Sequence, residues 1–370
     1  MRRGLLCLVG LLLLVGCGGV RPRSKTPRPE VSGAAARGFL PGNYANRPTA
    51  KVLASDAVVG VLLSARWRDL EPVEGEYHWD ALDHRVEAVA AAGKVVVLNI
   101  MTVGVNVPDW LLRKPGVATF SFEGTNPHQP IFGQRLTAPL YWDATYLAAQ
   151  AKFIRALGAH YAGHPAVVGV MVSFLGTVNN DWYIPHGAAE ALLARGYTTE
   201  RLVAVGTVTL ERWAEAFPTQ ALKMPVGLAL SDGQNTVTTL ADRILTYAYG
   251  RYPQRFYAQV NALCTALPAA DSPTLRQVGP EEPFALLARL AQHPHQMGFQ
   301  LLCDASGNAA RLDQGNLCAA HAPSCTLART LDIARSYHPY YIEYWYEDVE
   351  NPQLYPLLMD IAHALVADNR

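Results

Sequence analysis

The chain has 370 residues, half of them hydrophobic. That is enough to bury a large core, either in one barrel of about 250 residues or more or in two ordinary domains. Lysine plus arginine number 31 and aspartate plus glutamate number 31, so the formal charge is zero; with no basic excess to draw a phosphate backbone, nucleic acid is not an expected partner.

The chain opens "MRRGLLCLVGLLLLVGCGGV", two arginines followed by an apolar run that ends at Cys17. The run is too short to span a bilayer as a mature helix, and it has the positive start and apolar middle of a secretory signal. Leu14, Val15, Gly16 and Cys17 resemble the lipobox of bacterial lipoproteins. That resemblance implies cleavage before Cys17 and a lipid on its thiol; an ordinary signal peptide is the alternative. Residues 18–36 are rich in Gly, Pro, Ser and basic side chains and suit a flexible tether. The expected organisation is a signal over 1–17, a tether over 18–36 and a single folded domain over 37–370. The domain would be exported and held at a membrane surface of the cell envelope by its lipid. Export makes Cys264, Cys303, Cys318 and Cys325 candidates for disulfides, in any of three pairings. They contain no CxxC spacing, so no metal site is expected.

Short apolar runs then alternate with helical patterns: "GFLPG" (38–42), "AVVGVLLS" (57–64), "KVVVLNI" (94–100), "AVVGVMVSF" (166–174), "MPVGLALS" (224–231), "RFYAQVNAL" (255–263), "MGFQLLC" (297–303) and "YYIEYW" (340–345). Continuous apolar runs of this length read as strands buried on both faces of a parallel sheet. Between them Asp80 can cap a helix bearing Leu82, Val86, Val89 and Ala90, with Gly93 ending it. Pro283 suits the first turn of a helix with Leu286, Leu287 and Leu290, and Thr326 can cap one with Leu327, Leu331 and Ala334. Eight runs with intervening helices predict an α/β fold, a (β/α)8 TIM barrel. The first run is the weakest. An open doubly wound sheet is the alternative, but no GxGxxG follows an early strand.

In such a barrel the loops after the strands form the active face. Just past each run stand Arg66, Trp67 and Glu71; Asn99 and Trp110; Asn179, Asn180, Asp181 and Trp182; Asp232; Gln259 and Asn261; Gln300 and Asp304; and Glu343, Tyr344 and Trp345. Carboxylates, amides and broad rings suit a carbohydrate, whose CH faces lie on rings and whose hydroxyls need amide and carboxylate partners. There is no GxSxG, HExxH or phosphate loop.

"RWRDLEPVEGEYHWDALD" (66–83) resembles the segment after the second strand of β-galactosidase-like family 42 glycoside hydrolases and their clan. "PDWLL" (108–112) and the stretch 139–170 extend the likeness. The resemblance implies a barrel over roughly 38–350 with a sugar-active site at these loops. It also implies an Asn-Glu pair ending the fourth strand and a Glu ending the seventh. Here the fourth run is followed by Phe174 and Leu175, with Asn180-Asp181 further on, and the seventh ends in Cys303-Asp304. Glycoside hydrolysis needs two carboxyls. The expected acid is Asp181, beside the Trp182 indole, and its partner Glu343, with Asp304 as rival. The expected sugar contacts are Arg66, Trp67, Asn99, Trp110, Asn180, Trp182, Gln259, Asn261, Gln300, Asp304 and Trp345. Each has a structural reading beside the functional one: Glu343 paired with Arg66, the tryptophans as packing, Glu71 as a loop stabiliser, Asp232 as a turn residue. The expectation is thus a membrane-anchored, monomeric glycoside hydrolase acting on oligo- or polysaccharide, with no cofactor and no metal. The alternatives are a non-catalytic carbohydrate-binding barrel and a cell-envelope scaffold lipoprotein.

Overall fold

Eight parallel strands close on themselves. They are β1 (Gly42–Ala45), β2 (Gly60–Arg66), β3 (Val95–Met101), β6 (Val167–Met171), β7 (Ala221–Pro225), β8 (Phe256–Leu263), β9 (Met297–Leu301) and β10 (Tyr341–Tyr344). Their order is β1-β10-β9-β8-β7-β6-β3-β2, and β2 returns to β1 with Tyr44 opposite Gly60. Helices stand between the strands, so the architecture is the expected (β/α)8 barrel. Between β3 and β6 an antiparallel pair, β4 (Thr119–Glu123) and β5 (Arg135–Pro139), is inserted. The computed structural model describes residues 38–176, 182–185, 187–279, 282 and 284–370. Cys17, the expected tether, Asn179, Asn180, Asp181 and Pro283 lie outside them.

Two strands fall elsewhere than the apolar runs predict. The first occupies 42–45 rather than 38–42, because Pro41 brings no N–H to a ladder and Phe39 and Leu40 pack instead against the inner cluster around Tyr44 and Tyr341. The fifth occupies 221–225 rather than 224–231. Its middle residue is a lysine, Lys223, which broke the apolar pattern although the side chain is fully buried.

The helix signals hold with adjustments. Asp80 is the first residue of Asp80–Ala91 rather than its cap; Leu82, Val86 and Val89 are buried, and Gly93 takes φ +71° just past the end. Thr326 lies buried inside Pro323–Arg335, whose first position is taken by Pro323. The long helix Ala144–Tyr161 is capped by Asp143, whose carboxylate accepts the Tyr146 N–H at 2.8 Å.

The core has two parts. A large one fills the space between barrel and helices. A smaller inner one gathers Tyr44, Leu62, Val95, Val97, Val168, Met171, Ala221, Tyr257 and Tyr341. The Tyr341 ring fits only because Gly298 on the neighbouring strand has no Cβ. Of the possible pairings, Cys318 and Cys325 form a disulfide, and Cys264 and Cys303 are buried free thiols. Among the described residues no helix is long and apolar enough to cross a membrane, and no group of His, Cys, Asp and Glu could hold a metal ion.

Candidate active site

A cleft of about 960 Å³ opens where β7, β8, β9 and β10 end. Residues 226–230 leave the sheet after β7 and form one side; Asn261 and Gln300 rise from β8 and β9, and Cys303, Asp304, Trp345 and Glu347 follow β9 and β10. The opposite wall is the loop between β4 and β5, with Asn126, His128, Gln129 and Pro130. Gln129 Nε2 donates to the Tyr183 hydroxyl at 2.7 Å and ties that wall to the segment following β6.

Among the described residues two carboxylates line the cleft. Asp304 begins the helix Ala305–Leu312 as its cap, accepting from the Gly307 N–H and from Asn308 Nδ2, both at 2.5 Å. Both of its oxygens are therefore oriented by its own helix. Glu347 sits on the short helix Tyr346–Glu350, and its Oε2 is buried with no hydrogen-bond partner. A buried polar atom without a partner is uncommon and marks a place where a ligand group can supply the missing bond. Between them Asp348, fully buried, accepts from the Ala305 N–H at 3.0 Å and from the Ser306 N–H and hydroxyl at 2.8 Å. These bonds lock the two carboxylate-bearing helices together. Burial lifts the Asp348 carboxyl to about 6 against the pull of the same donors.

Of the expected contacts, the structure brings Asn261, Gln300, Asp304 and Trp345 together in this cleft. Trp345 donates its indole N–H to the Leu301 carbonyl at 2.9 Å, which fixes the ring at the rim of β9. The others go elsewhere. Trp67 is fully buried, stacked on Phe153 and edge-on to Trp110, with its N–H on Glu71 at 2.6 Å; it packs the loop and has no face for a sugar. Trp182 is buried against Phe174 and donates to the Val172 carbonyl at 2.7 Å. Trp110 donates to the Glu71 carbonyl, and Glu71 also accepts the Gly75 N–H, so this acid holds the loop. Arg66 is exposed and paired with Asp69, and Asn99 donates to Ser64 Oγ at 3.0 Å. Asp232 accepts from the N–H groups of Thr199, Gln234 and Asn235, as a turn residue does.

Glu343 requires a correction. It lies beneath the cleft, 1% exposed, and is ion-paired with the fully buried Lys223 rather than with Arg66. Gln259, also fully buried, donates to its other oxygen at 3.0 Å. Strand β10 runs on to Tyr344, so the Glu343 side chain belongs to the barrel interior, and the first glutamate beyond the strand end is Glu347. Desolvation pulls the Lys223 ammonium below the ordinary lysine range, against the attraction of Glu343. Glu347, Tyr183 and Gln129 were not anticipated. Glu347 could have been found by period: four residues past Glu343, it lies beyond the Trp that ends the run.

This barrel, with a cleft over the carboxyl ends of its strands, has counterparts. Residues 56–186 match the model of glycoside hydrolase family 42, the β-galactosidases. The matched segment runs from the approach to β2 to just beyond β6. Among solved structures, the β-galactosidase of the psychrophilic Marinomonas ef1 superposes with a TM-score of 0.53 at 13% identity, over 88% of this chain and 59% of that one. The cold-adapted β-galactosidase of Rahnella sp. R3 gives 0.52 at 14%, over 89% and 57%. The catalytic domain of the β-amylase of Paenibacillus polymyxa gives 0.54 at 9%, over 91% and 100%. The chain thus spans under two thirds of the length of the two galactosidases. At these identities the likeness is one of fold. No curated protein is similar to the chain at the level of sequence.

Proposed function

We propose that the protein is a glycoside hydrolase that takes an oligo- or polysaccharide in the cleft over β7–β10 and cleaves it with Asp304 and Glu347. The observation that carries this reading is the pairing of these two carboxylates in one cleft with the amides Asn261 and Gln300 and the rings of Tyr183 and Trp345. The match of 56–186 to the β-galactosidase family supports it. Asp304, held by the donors of its own helix, is suited to act as nucleophile or base. Glu347, with an unpartnered buried oxygen, is suited to meet the glycosidic oxygen as acid. The aromatic rings give the CH faces of the sugar a surface, and the amides give its hydroxyls both donors and acceptors.

The test is hydrolysis of a panel of aryl glycosides, beginning with 4-nitrophenyl β-D-galactopyranoside, and of envelope polysaccharides by the full chain beside Asp304→Asn and Glu347→Gln. Turnover by the wild type, with loss of about 10²–10⁴-fold in each variant, supports the assignment. A wild type that hydrolyses nothing sinks it.

A second reading has its own observation: Asp304 is already satisfied as a helix cap, and the positions after β6 hold Phe174 and Leu175 rather than a glutamate. On that reading the barrel binds a glycan without cleaving it, and titration calorimetry with oligosaccharides detects binding with no product.

We also propose that Cys17 carries a lipid that holds the barrel at a membrane surface of the cell envelope. Support comes from the apolar run and the Leu14 to Cys17 motif. Incorporation of labelled palmitate that disappears in Cys17→Ala is the expected result; equal labelling of both forms removes the anchor from the proposal.

A further inference from the structure

The helix Ala305–Leu312 turns a polar face to the cleft. Asp304, its cap, and Asn308 and Arg311 within it all line that space. Positions i, i+4 and i+7 fall on one stripe of a helix, so the three form a row along the cleft wall. The row is interrupted in geometry but not in direction: Asn308 departs from helical values (φ −128°, ψ 31°) while its side chain donates to Asp304.

Among the described residues Arg311 is the only lysine or arginine in the lining of the cleft. A guanidinium cannot shed its charge in a protein, and it presents five N–H donors in a rigid fork. Arg311 is exposed and joins no ion pair or hydrogen bond among the described residues. The two acids of the cleft do not neutralise it: Asp304 gives its oxygens to Gly307 and Asn308, and Glu347 Oε2 has no partner. Its charge is nevertheless felt in the lining. Burial pushes the Cys303 thiol up to about 11, and Arg311 pulls against that rise. A cation in the last turn also complements the dipole of its helix. That accounts for a charge at this end of an eight-residue helix, and not for its place in the cleft.

A neutral sugar has no use for a permanent charge, since amides such as Gln300 serve its hydroxyls. A sugar bearing a carboxylate does: the guanidinium fork matches a carboxylate with two parallel N–H···O bonds, each stronger than a bond between neutral groups. We infer that Arg311 is a specificity-determining residue and that the cleft takes an acidic glycan, with the carboxylate of a uronic acid seated on the Arg311 guanidinium. This rests on the reading of the cleft as a sugar site and names the substrate class of that site. Seven residues of helix span about 10 Å. The uronic acid therefore lies along the cleft from the sugar at Asp304, and its hold on Arg311 sets which glycosidic bond comes to Asp304 and Glu347.

Titration calorimetry of the full chain with trigalacturonate, a mannuronate trimer and a hyaluronan tetrasaccharide, each beside its methyl ester, tests the inference. The ester keeps rings, linkages and length and removes only the charge. The expected result is that at least one acid binds about 10-fold tighter than its ester, by a margin that shrinks as salt is added. Arg311→Met should abolish that margin while ester binding and melting temperature stay at the wild-type values. Arg311→Lys keeps the charge without the fork and should retain only part of it. Two results overturn the inference alone: saccharides that bind or are cleaved with no acid preferred over its ester, and a preference that survives Arg311→Met. A κ-carrageenan tetrasaccharide, which carries sulfate esters and no carboxylate, separates the two anions; Arg311-dependent binding of it with no uronate bound overturns the assignment to a carboxylate. If no saccharide, acidic or neutral, is bound or cleaved, the reading of the cleft as a sugar site falls, and the inference with it.

Discussion

The two halves of the barrel are filled differently. On one side β2, β3 and β6 send Leu62, Val95, Val97, Val168 and Met171 into the inner cluster. At the upper end of these strands the polar groups satisfy one another: Asn99 bonds Ser64, and Ser173 receives both the N–H and the hydroxyl of Thr102 at 3.0 Å. On the other side β7, β8 and β10 carry Lys223, Gln259, Asn261 and Glu343, and the cleft lies above them. The family match covers the first side and stops just beyond β6. The part of the chain that matches by sequence thus supplies scaffold and the cleft wall with Gln129 and Tyr183, and the part beyond it holds Asp304 and Glu347. A shared fold leaves function to be argued from the site.

The sharpest way to break this comparison is to disable each half in turn. Asp304→Asn and Glu347→Gln should lower turnover by about 10²–10⁴-fold, while Arg66→Ala and Asn99→Ala, outside the cleft, should change kcat/KM by no more than a few-fold. Steady-state kinetics on one substrate measures all four. Activity that depends on Arg66 or Asn99 as strongly as on Glu347 would move the site across the barrel.

Stability sharpens the same contrast. Lys223→Met alone leaves Glu343 buried and bonded to Gln259 but without its ion-pair partner, and should cost about 3–5 kcal/mol. Leu62→Ala in the apolar half should cost about 2–5 kcal/mol through lost burial and a cavity. The difference lies in rescue: adding Glu343→Leu should return most of the first loss, whereas no second-site removal of a charge can return the second. Denaturant unfolding of the three proteins separates them.

The barrel was legible because β2, β3 and β6 carry β-branched and aliphatic runs that no surface element would need, and because shorter apolar runs recur between helical patterns along the rest of the chain. Lys223 hides the fifth strand in the sequence, since a buried charge breaks the pattern that announces burial. The site was half legible. Asn261, Gln300, Asp304 and Trp345 follow from the rule that strand ends form the active face. Trp67 and Trp182 did not, because a tryptophan in a loop looks the same in sequence whether its rings face water or other rings. Glu343 and Glu347 stand four residues apart on either side of a strand end, and only the position of that end decides which one reaches the cleft. The inserted β4–β5 pair, which supplies a wall of the cleft, lies where no repeat of the barrel pattern points.

Two buried carboxylates beside the cleft half should give stability an opposed pH dependence. Burial would raise the Asp313 carboxyl, but bonds from His321, the Leu317 N–H, Thr265 and the Cys318 N–H outweigh it and hold the group at about 2, below its ordinary 3.8. Its contribution is present above about 4 and is lost as pH falls towards 2. Asp348 stands at about 6, so its contribution is full below about 4 and declines as pH rises through 6. Unfolding free energy against pH should therefore show Asp313→Asn converging on wild type as the solution is acidified. Asp348→Asn should compare most favourably with wild type above pH 6. Parallel curves for wild type and both variants would remove these groups from the account.

The smallest effect is also the most discriminating. Asp143 and Asp304 perform the same local task, each capping a helix with its carboxylate, one in each half of the barrel. Replacing a cap by alanine costs about 1 kcal/mol, so Asp143→Ala and Asp304→Ala should lower the unfolding free energy by similar amounts. If Asp304 is a cap and nothing more, their activities should also match, each near wild type once the folded fraction is taken into account. If it is the carboxylate that meets the sugar, equal losses of stability will accompany very unequal losses of turnover, because the bonds that orient its oxygens for the helix also hold them in the cleft.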